Sequence, residues 1–591
     1  LAGKTEKCRG PRRIANCRTG RSACSMLPML NLHKSRQRSR GGAVCFLFIL
    51  LLCPVAISYG QAGVCQDISI PFFKSGSNGS NGVIEMFSAR GGALRSGFLM
   101  PKPAGTVRVF TVGESVAQIT RSGPASPLAL YLRGVLDAGV ENINAGMGGY
   151  GSSDVVPIVD EIAGYSPDVV VILAGNNGRN FLSYQCGFKS KLSIRAYTLE
   201  ERVMHPSYPV EKIEKAVSLR IMENDLRGMV RKVKNSGALA VLCTLPASMK
   251  DFAPDGPLPL YDGYFAKAWR LMDKGDFVQS KKLFLPFAAL HDGNAFAWYC
   301  LGICAEKTGD YASARQFYAT AVEKDTGLDR ASQERNEIIR RVAREEGAYL
   351  ADLEKAFSAV SAHGIIDSSA MEDGVHWREE YMGLFVRTVA DALSSGHAPL
   401  PFKKGMTAAS PAGKMNNENT AGYDYKLYGC AMAYIKDWAL GAKPHDDAVE
   451  RGISMLARLY AANPKLLEQS LVSASSARRL MPGSVWFSFD GFERAWPHYL
   501  EHAGEFYRRT GKRKEALDCF KRALQADPQL YMAKFYRALA YIDMGDKEKA
   551  REDFAAIYQY RDKHPEIGVL AELEGMEPER KKDMSAHQVY S

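Results

Sequence analysis

No CxxC pair occurs in the 591 residues, so neither a zinc site nor a dense disulfide framework is signalled. Of the twelve cysteines, Cys8, Cys17, Cys24, Cys45 and Cys53 lie in an N-terminal stretch expected to be removed. The other seven, Cys65, Cys186, Cys243, Cys300, Cys304, Cys430 and Cys519, are an odd number. Cys300 and Cys304 stand one helical turn apart and read as core packing. A Cys65–Cys186 bridge in an oxidising compartment is left open.

An apolar run long enough to span a membrane is lacking too. Residues 43–57 (AVCFLFILLLCPVAI) number 15, against the ~20 that a spanning helix needs. They follow a basic stretch and precede the small and polar SYGQA. That order reads as a secretory signal peptide over 42–62, cleaved near Ala62, with an uncleaved anchor as the alternative. The expected location is periplasmic or extracellular. Leu1 stands where an initiating Met is expected, and Met26 and Met29 are candidate starts.

The body of the chain also lacks net charge. Formal charge is +11, but residues 1–41 hold eleven Lys/Arg against Glu6 alone, which leaves the rest at about +1. A near-neutral body has no continuous basic face to neutralise phosphates, and no nucleic-acid partner is expected. With 46% hydrophobic and 24% charged residues, neither wholesale disorder nor a polytopic membrane protein is indicated. At ~100–200 residues per domain the length suggests three or four folded units.

What is present begins at residue 106. Short β-branched runs alternate with amphipathic stretches, the pattern of a parallel sheet with helices on both faces. Strands are expected at 107–112, 168–173, 238–244 and 348–353, and helices around 125–138, 153–162 and 213–235. The fold class is therefore a three-layer α/β/α domain.

Between the third and fourth strands the pattern turns wholly helical and repeats with a period of 34: Gly275-Asp276-Phe277 recurs as Gly309-Asp310-Tyr311. Around the second, Trp298, Leu301, Gly302, Ala305, Ala314, Tyr318 and Ala321 resemble the tetratricopeptide consensus. A second pair, with Gly511, Ala516, Phe520, Ala523 and Pro528, then Gly545, Ala550 and Phe554, has the same period. Residues 401–420 read as a linker, and 421–495 are helical without an alignable repeat.

Strand 107–112 runs into Gly113-Glu114-Ser115, placing a serine at the carboxyl end of a buried strand, beside the unpaired amides of a helix start. A helix cap is the bland alternative for such a serine. Three further segments follow: a glycine-rich turn, Asn144 to Ser153, after a short strand; Gly175-Asn176-Asn177 after strand 168–173; and Asp373-Gly374-Val375-His376. In this order they resemble the four blocks of the SGNH (GDSL-type) hydrolases, over roughly residues 106–395.

The resemblance implies a flavodoxin-like domain in which Ser115 is the nucleophile, His376 the general base and Asp373 the group that orients the imidazole. Ser115, Gly149 and Asn177 would form the oxyanion hole, with Asn176 the fallback for Asn177. Glu114 stands where the family more often has Asp, and Gly178 follows Asn177 where an acid is frequent. The implied organisation is a basic extension (1–41), signal peptide (42–62), hydrolase domain in two parts (63–260 and 331–400), tetratricopeptide insertion (261–330), linker (401–420) and C-terminal helical domain (421–591). The chemistry implied is hydrolysis of a small ester or acylated carbohydrate, without cofactor or metal. The alternatives are an O-acyltransferase acting on an exported polysaccharide and a non-catalytic scaffold whose repeats bind a protein.

Overall fold

The computed structural model of the chain describes residues 71–75, 84–88, 97–178, 188–404, 423–439, 445–480 and 492–578. The expected signal peptide, Cys65, Cys186 and most of the expected linker lie outside the described residues. Among the described residues no helix is long and apolar enough to cross a membrane.

Strands β1 (Phe73–Ser75), β2 (Ile84–Ser88) and β3 (Phe98–Met100) form a small antiparallel sheet. The main sheet joins β4 (Thr106–Gly113), β5 (Gly139–Gly146), β6 (Val169–Leu173), β7 (Leu239–Cys243) and β8 (Tyr349–Ala351). All its pairings are parallel, in the order β5-β4-β6-β7-β8. That is the 2-1-3-4-5 order of flavodoxin-like sheets, which switches direction at β4.

Alternate residues of each strand feed two cores. Val109, Val169, Val171 and Val241 meet helices α2 (Pro127–Val135), α11 (Leu353–Val360) and α12 (Met382–Ser395). Phe110, Val112, Val170, Ile172 and Leu242 meet α3 (Ser152–Ile162), α5 (Val210–Asn235) and α10 (Gln333–Glu346) on the other face. Each fully buried Val or Leu contributes roughly 1.5–3 kcal/mol, so continuous apolar runs are what a sheet covered on both faces requires. The three-layer expectation holds. The strand before the glycine turn is not short, however: β5 continues through Asn144, Ala145 and Gly146. The antiparallel sheet and the helix α4 (Phe188–Met204) were not anticipated either.

Helices α6 (Gly263–Asp273), α7 (Phe277–Leu290), α8 (Ala295–Lys307) and α9 (Tyr311–Glu323) are the inserted hairpins. The repeated Gly-Asp pair is a turn device. Gly275 and Gly309 take φ of +86° and +81°, and Asp276 and Asp310 then cap the next helices by accepting the Gln279 and Ser313 amides.

The C-terminal part holds α13 (Tyr423–Ala439), α14 (His445–Ala462), α15 (Pro464–Ser470), α16 (Ala474–Arg479), α17 (Phe492–Arg509), α18 (Arg513–Ala526), α19 (Tyr531–Asp543), α20 (Lys547–Ile557) and α21 (Pro565–Leu573). The two repeat groups close their hairpins alike. A methyl at Gly302 would stand 2.5 Å from the Tyr318 ring, and one at Gly504 2.6 Å from the Phe520 ring. Although far apart in sequence, both groups share one hydrophobic core, and Arg270 of the insertion pairs with Glu574 at 2.7 Å.

Candidate active site

The register of the main sheet draws three of the four blocks to one edge. Gly113 is paired with Gly146 on one side and Leu173 on the other, so the segments that follow all leave the sheet at the same level. The edge is closely built: a methyl at Gly113, where φ is +150°, would stand 2.0 Å from the Leu173 carbonyl oxygen. Two backbone bonds lock the exits, Glu114 N to Leu173 O at 3.1 Å and Met147 N to Gly113 O at 3.1 Å.

Ser115 is half-buried and opens the four-residue helix α1 (Ser115–Gln118). Buried Asn144 fastens that helix: its Nδ2 donates to Ala117 O at 2.7 Å and Thr120 Oγ1 at 3.0 Å, and its Oδ1 accepts the Gly146 amide at 2.8 Å. Gly149 is exposed with φ of +75°.

Asn177 takes the left-handed φ of +52°, tolerated by Asn better than by most side chains, and its Nδ2 donates to Tyr150 O at 3.0 Å. It therefore faces the turn that contains Gly149. Asn176 turns elsewhere: its Oδ1 accepts the Ala331 amide at 2.8 Å.

Residues 175–178 are held from all sides. Glu114, fully buried, accepts the Gly175 and Asn176 amides at 3.0 and 2.9 Å. Burial pushes its carboxyl well up, and the Gly175 amide, the Arg335 charge and the Asn176 amide offset this only in part. Arg335, also buried, donates to Gly175 O at 3.0 Å and Ser218 Oγ at 2.8 Å, while Gly178 N donates to Leu328 O at 2.7 Å. A methyl at Gly178 would stand 1.9 Å from Arg335 Nη2. The Arg335 guanidinium fills the space that a side chain at position 178 would enter.

Asp373 and His376 lie at the tip of a short hairpin whose sides are buried Met371 and Trp377. Asp373 Oδ2 is 2.8 Å from His376 Nδ1, and Oδ1 accepts the Val375 and His376 amides, each at 2.8 Å. Burial raises the Asp373 carboxyl, but the His376 charge, its ring bond and the two amides outweigh that and hold it well below the usual carboxylate range. The hairpin lies on the carboxyl side of the sheet. Ser248, beyond the end of β7, donates its amide to Gly374 O at 3.0 Å, and Arg121, just past α1, pairs with Glu379. Among the described residues no hydrogen bond joins the Ser115 hydroxyl to the His376 ring.

Asn144, Arg335 and Ser218 went unassigned in the sequence. Their signal is weak there, because a buried Arg or Asn in a polar-looking segment reads as surface.

Residues 265–329 and 504–565 match the tetratricopeptide repeat family. No curated protein matches the chain by sequence. Among solved structures, a protein assigned as an acylhydrolase from Bacteroides fragilis is 13% identical, with 49% of this chain and 87% of that one covered and a TM-score of 0.26. A variant of an acetyl-xylooligosaccharide esterase from Geobacillus is 13% identical, with coverages of 49% and 94% and a TM-score of 0.24. A GDSL-like lipase from Bacteroides thetaiotaomicron is 12% identical, with coverages of 48% and 84% and a TM-score of 0.23. The chain thus carries tetratricopeptide repeats within and after a parallel α/β/α domain with the flavodoxin-like strand order, and the solved structures it is similar to include an acylhydrolase, an acetyl-xylooligosaccharide esterase and a GDSL-like lipase.

Proposed function

We propose that the α/β/α domain is a serine esterase of the SGNH type, exported, acting on a carboxylic ester. The observation that carries this reading is the Asp373–His376 pair, with the ring held at Nδ1 by a carboxylate that two amides and the ring keep ionised. An imidazole oriented through Nδ1 is suited to general-base work at Nε2.

In this reading His376 takes the proton of Ser115 as its oxygen attacks the ester carbonyl. The Ser115 and Gly149 amides and Asn177 Nδ2 stabilise the oxyanion, the alcohol leaves with the proton from His376, and water then releases the acid. The reading requires the Ser115 hydroxyl and the His376 ring to come within hydrogen-bond reach when substrate is bound, as acid–base pairs that are loose in unliganded sites commonly do. Export is proposed on the basic segment and apolar run of residues 1–57, and partner binding on the helical repeats.

Labelling of the full chain with a fluorophosphonate tests the reading, because only an activated serine reacts quickly. Rapid modification at Ser115, lost in Ser115→Ala with the fold retained, is the expected result. A folded wild-type protein that stays unlabelled would leave only the helical scaffold.

A further inference from the structure

We propose that the C-terminal helical region belongs to the catalytic machinery, with Arg451 and Arg458 of α14 as positioning residues for the Asp373–His376 hairpin. The inference rests on the esterase reading.

The hairpin is short, with one bridged pair, Met371 and Trp377, and the backbone bonds Glu372 N to His376 O at 2.6 Å and Arg378 N to Ala370 O at 2.9 Å closing it. Those bonds set its shape, and its seat on the rest of the protein comes from outside. Gly374, between Asp373 and His376, is buried against Phe252: a methyl there would stand 2.7 Å from the Phe252 ring and 3.1 Å from Arg330 Cδ. The same ring carries the Arg451 guanidinium at 4.8 Å and that of Arg330 at 5.5 Å. The cations are fixed in turn. Arg451, 1% exposed, donates Nε to Ala253 O at 2.9 Å and pairs with Asp255 at 2.7 Å and Asp325 at 3.5 Å. Arg330 bonds Asp325 through Nε at 2.9 Å and donates Nη1 to Ser248 O at 2.9 Å, and Ser248 N donates to Gly374 O. A second strut is direct: Arg458 Nη2 donates to the carbonyl of Met371, two residues before Asp373.

Buried ion networks often add little stability over apolar packing, and in some proteins they serve to fix relative position, the role assigned to this one. Here the position fixed is that of the general base, and two of the cations that fix it come from a helix more than seventy residues further along the chain. A displacement of ~1 Å at a catalytic group can cost ~10²-fold in rate.

The test uses the full chain with Arg451→Gln, Arg451→Lys and Arg458→Gln, and reads three quantities: fluorophosphonate labelling of Ser115, the kcat and KM of ester turnover, and amide hydrogen exchange of residues 371–378. The expected result for Arg451→Gln and Arg458→Gln is labelling slower by about tenfold or more, kcat reduced with KM held, and faster exchange confined to 371–378. Arg451→Lys keeps the cation and recovers part of the rate. Wild-type exchange at 371–378 in both Gln variants overturns the proposal. Should Arg451→Gln exchange rapidly throughout, it has unfolded, and Arg458→Gln, which removes a lesser contact, decides by the same criterion. Should wild-type Ser115 itself stay unlabelled, the esterase reading fails while exchange at 371–378 still decides whether α14 braces the hairpin.

Discussion

Gly113 of β4 faces Leu173 of β6 so closely that a methyl group on Gly113 would stand 2.0 Å from the Leu173 carbonyl oxygen. That contact sets the floor of the candidate site, because Ser115 and Asn177 both leave the sheet from this pair of strands.

Gly113→Ala must therefore part β4 from β6 or bend the exit of β4, and its φ of +150° strains any side chain as well. The expected cost is ~3 kcal/mol in urea unfolding, the upper part of the range for an extra methyl forced into a closed core. Ser115 labelling should be lost in whatever folded protein remains. A variant as stable and as reactive as wild type would mean that the two strands do not meet this way.

Asp373→Asn removes the group that holds His376 Nδ1 while keeping the size of the side chain. Turnover is expected to fall by ~10³-fold or more, as when a triad carboxylate is lost. Without the anion the imidazolium is less stable, so the acid limb of the pH–rate profile should move to lower pH. Stability has its own sign. The folded carboxyl lies below its unfolded value, so its contribution is present above the unfolded pKa of ~3.9 and is lost as pH falls through the folded one. The stability gap between wild type and variant should therefore close on acidification. A gap that widens in acid overturns the assignment of an ionised Asp373.

The parts of the fold visible in the sequence are those with one dominant cause. Strands β6 and β7 are continuous runs of buried apolar residues, β4 is one interrupted by buried Arg108 and Thr111, and the 34-residue period is marked by left-handed glycines at 275, 309, 511 and 545, three of them followed by a capping Asp. The end of β5 is hidden in the sequence because Asn144 looks like the start of the glycine-rich turn. It is buried, and its side chain is satisfied by Ala117 O, Thr120 and the Gly146 amide.

Of the site, Asp373 and His376 were legible because their bond is local, three residues apart. Arg335, Arg451 and Arg458 were not: their partners lie 87 to 198 residues away in the chain, and nothing short of the folded contacts tells a buried arginine from a solvated one. The same holds for the core shared by the two repeat groups, joined through Arg270 and Glu574 at a separation of 304.

Glu114, one residue before the candidate nucleophile, gives the last prediction. Both its oxygens accept amides, from Gly175 and Asn176, in the turn that carries Asn177. Glu114→Gln keeps the shape but sets an NH2 group against one of those amide donors. One buried donor is then left unpaired, at a cost of roughly 1–3 kcal/mol. Ser115 labelling should also slow, because the Asn177 side chain moves with the turn. The pH dependence separates this account from a generic packing loss. The folded Glu114 carboxyl is raised above its unfolded value of ~4.3, so the native state binds the proton more tightly, and wild-type stability should decline as pH rises from there toward the folded value. Glu114→Gln has no such slope, and its deficit should shrink across that window. Urea midpoints of both proteins, measured from about pH 4 to about pH 8, read the difference directly. A deficit that grows with pH would mean that the amides and the Arg335 charge outweigh burial, leaving Glu114 an anion clamped beneath the site.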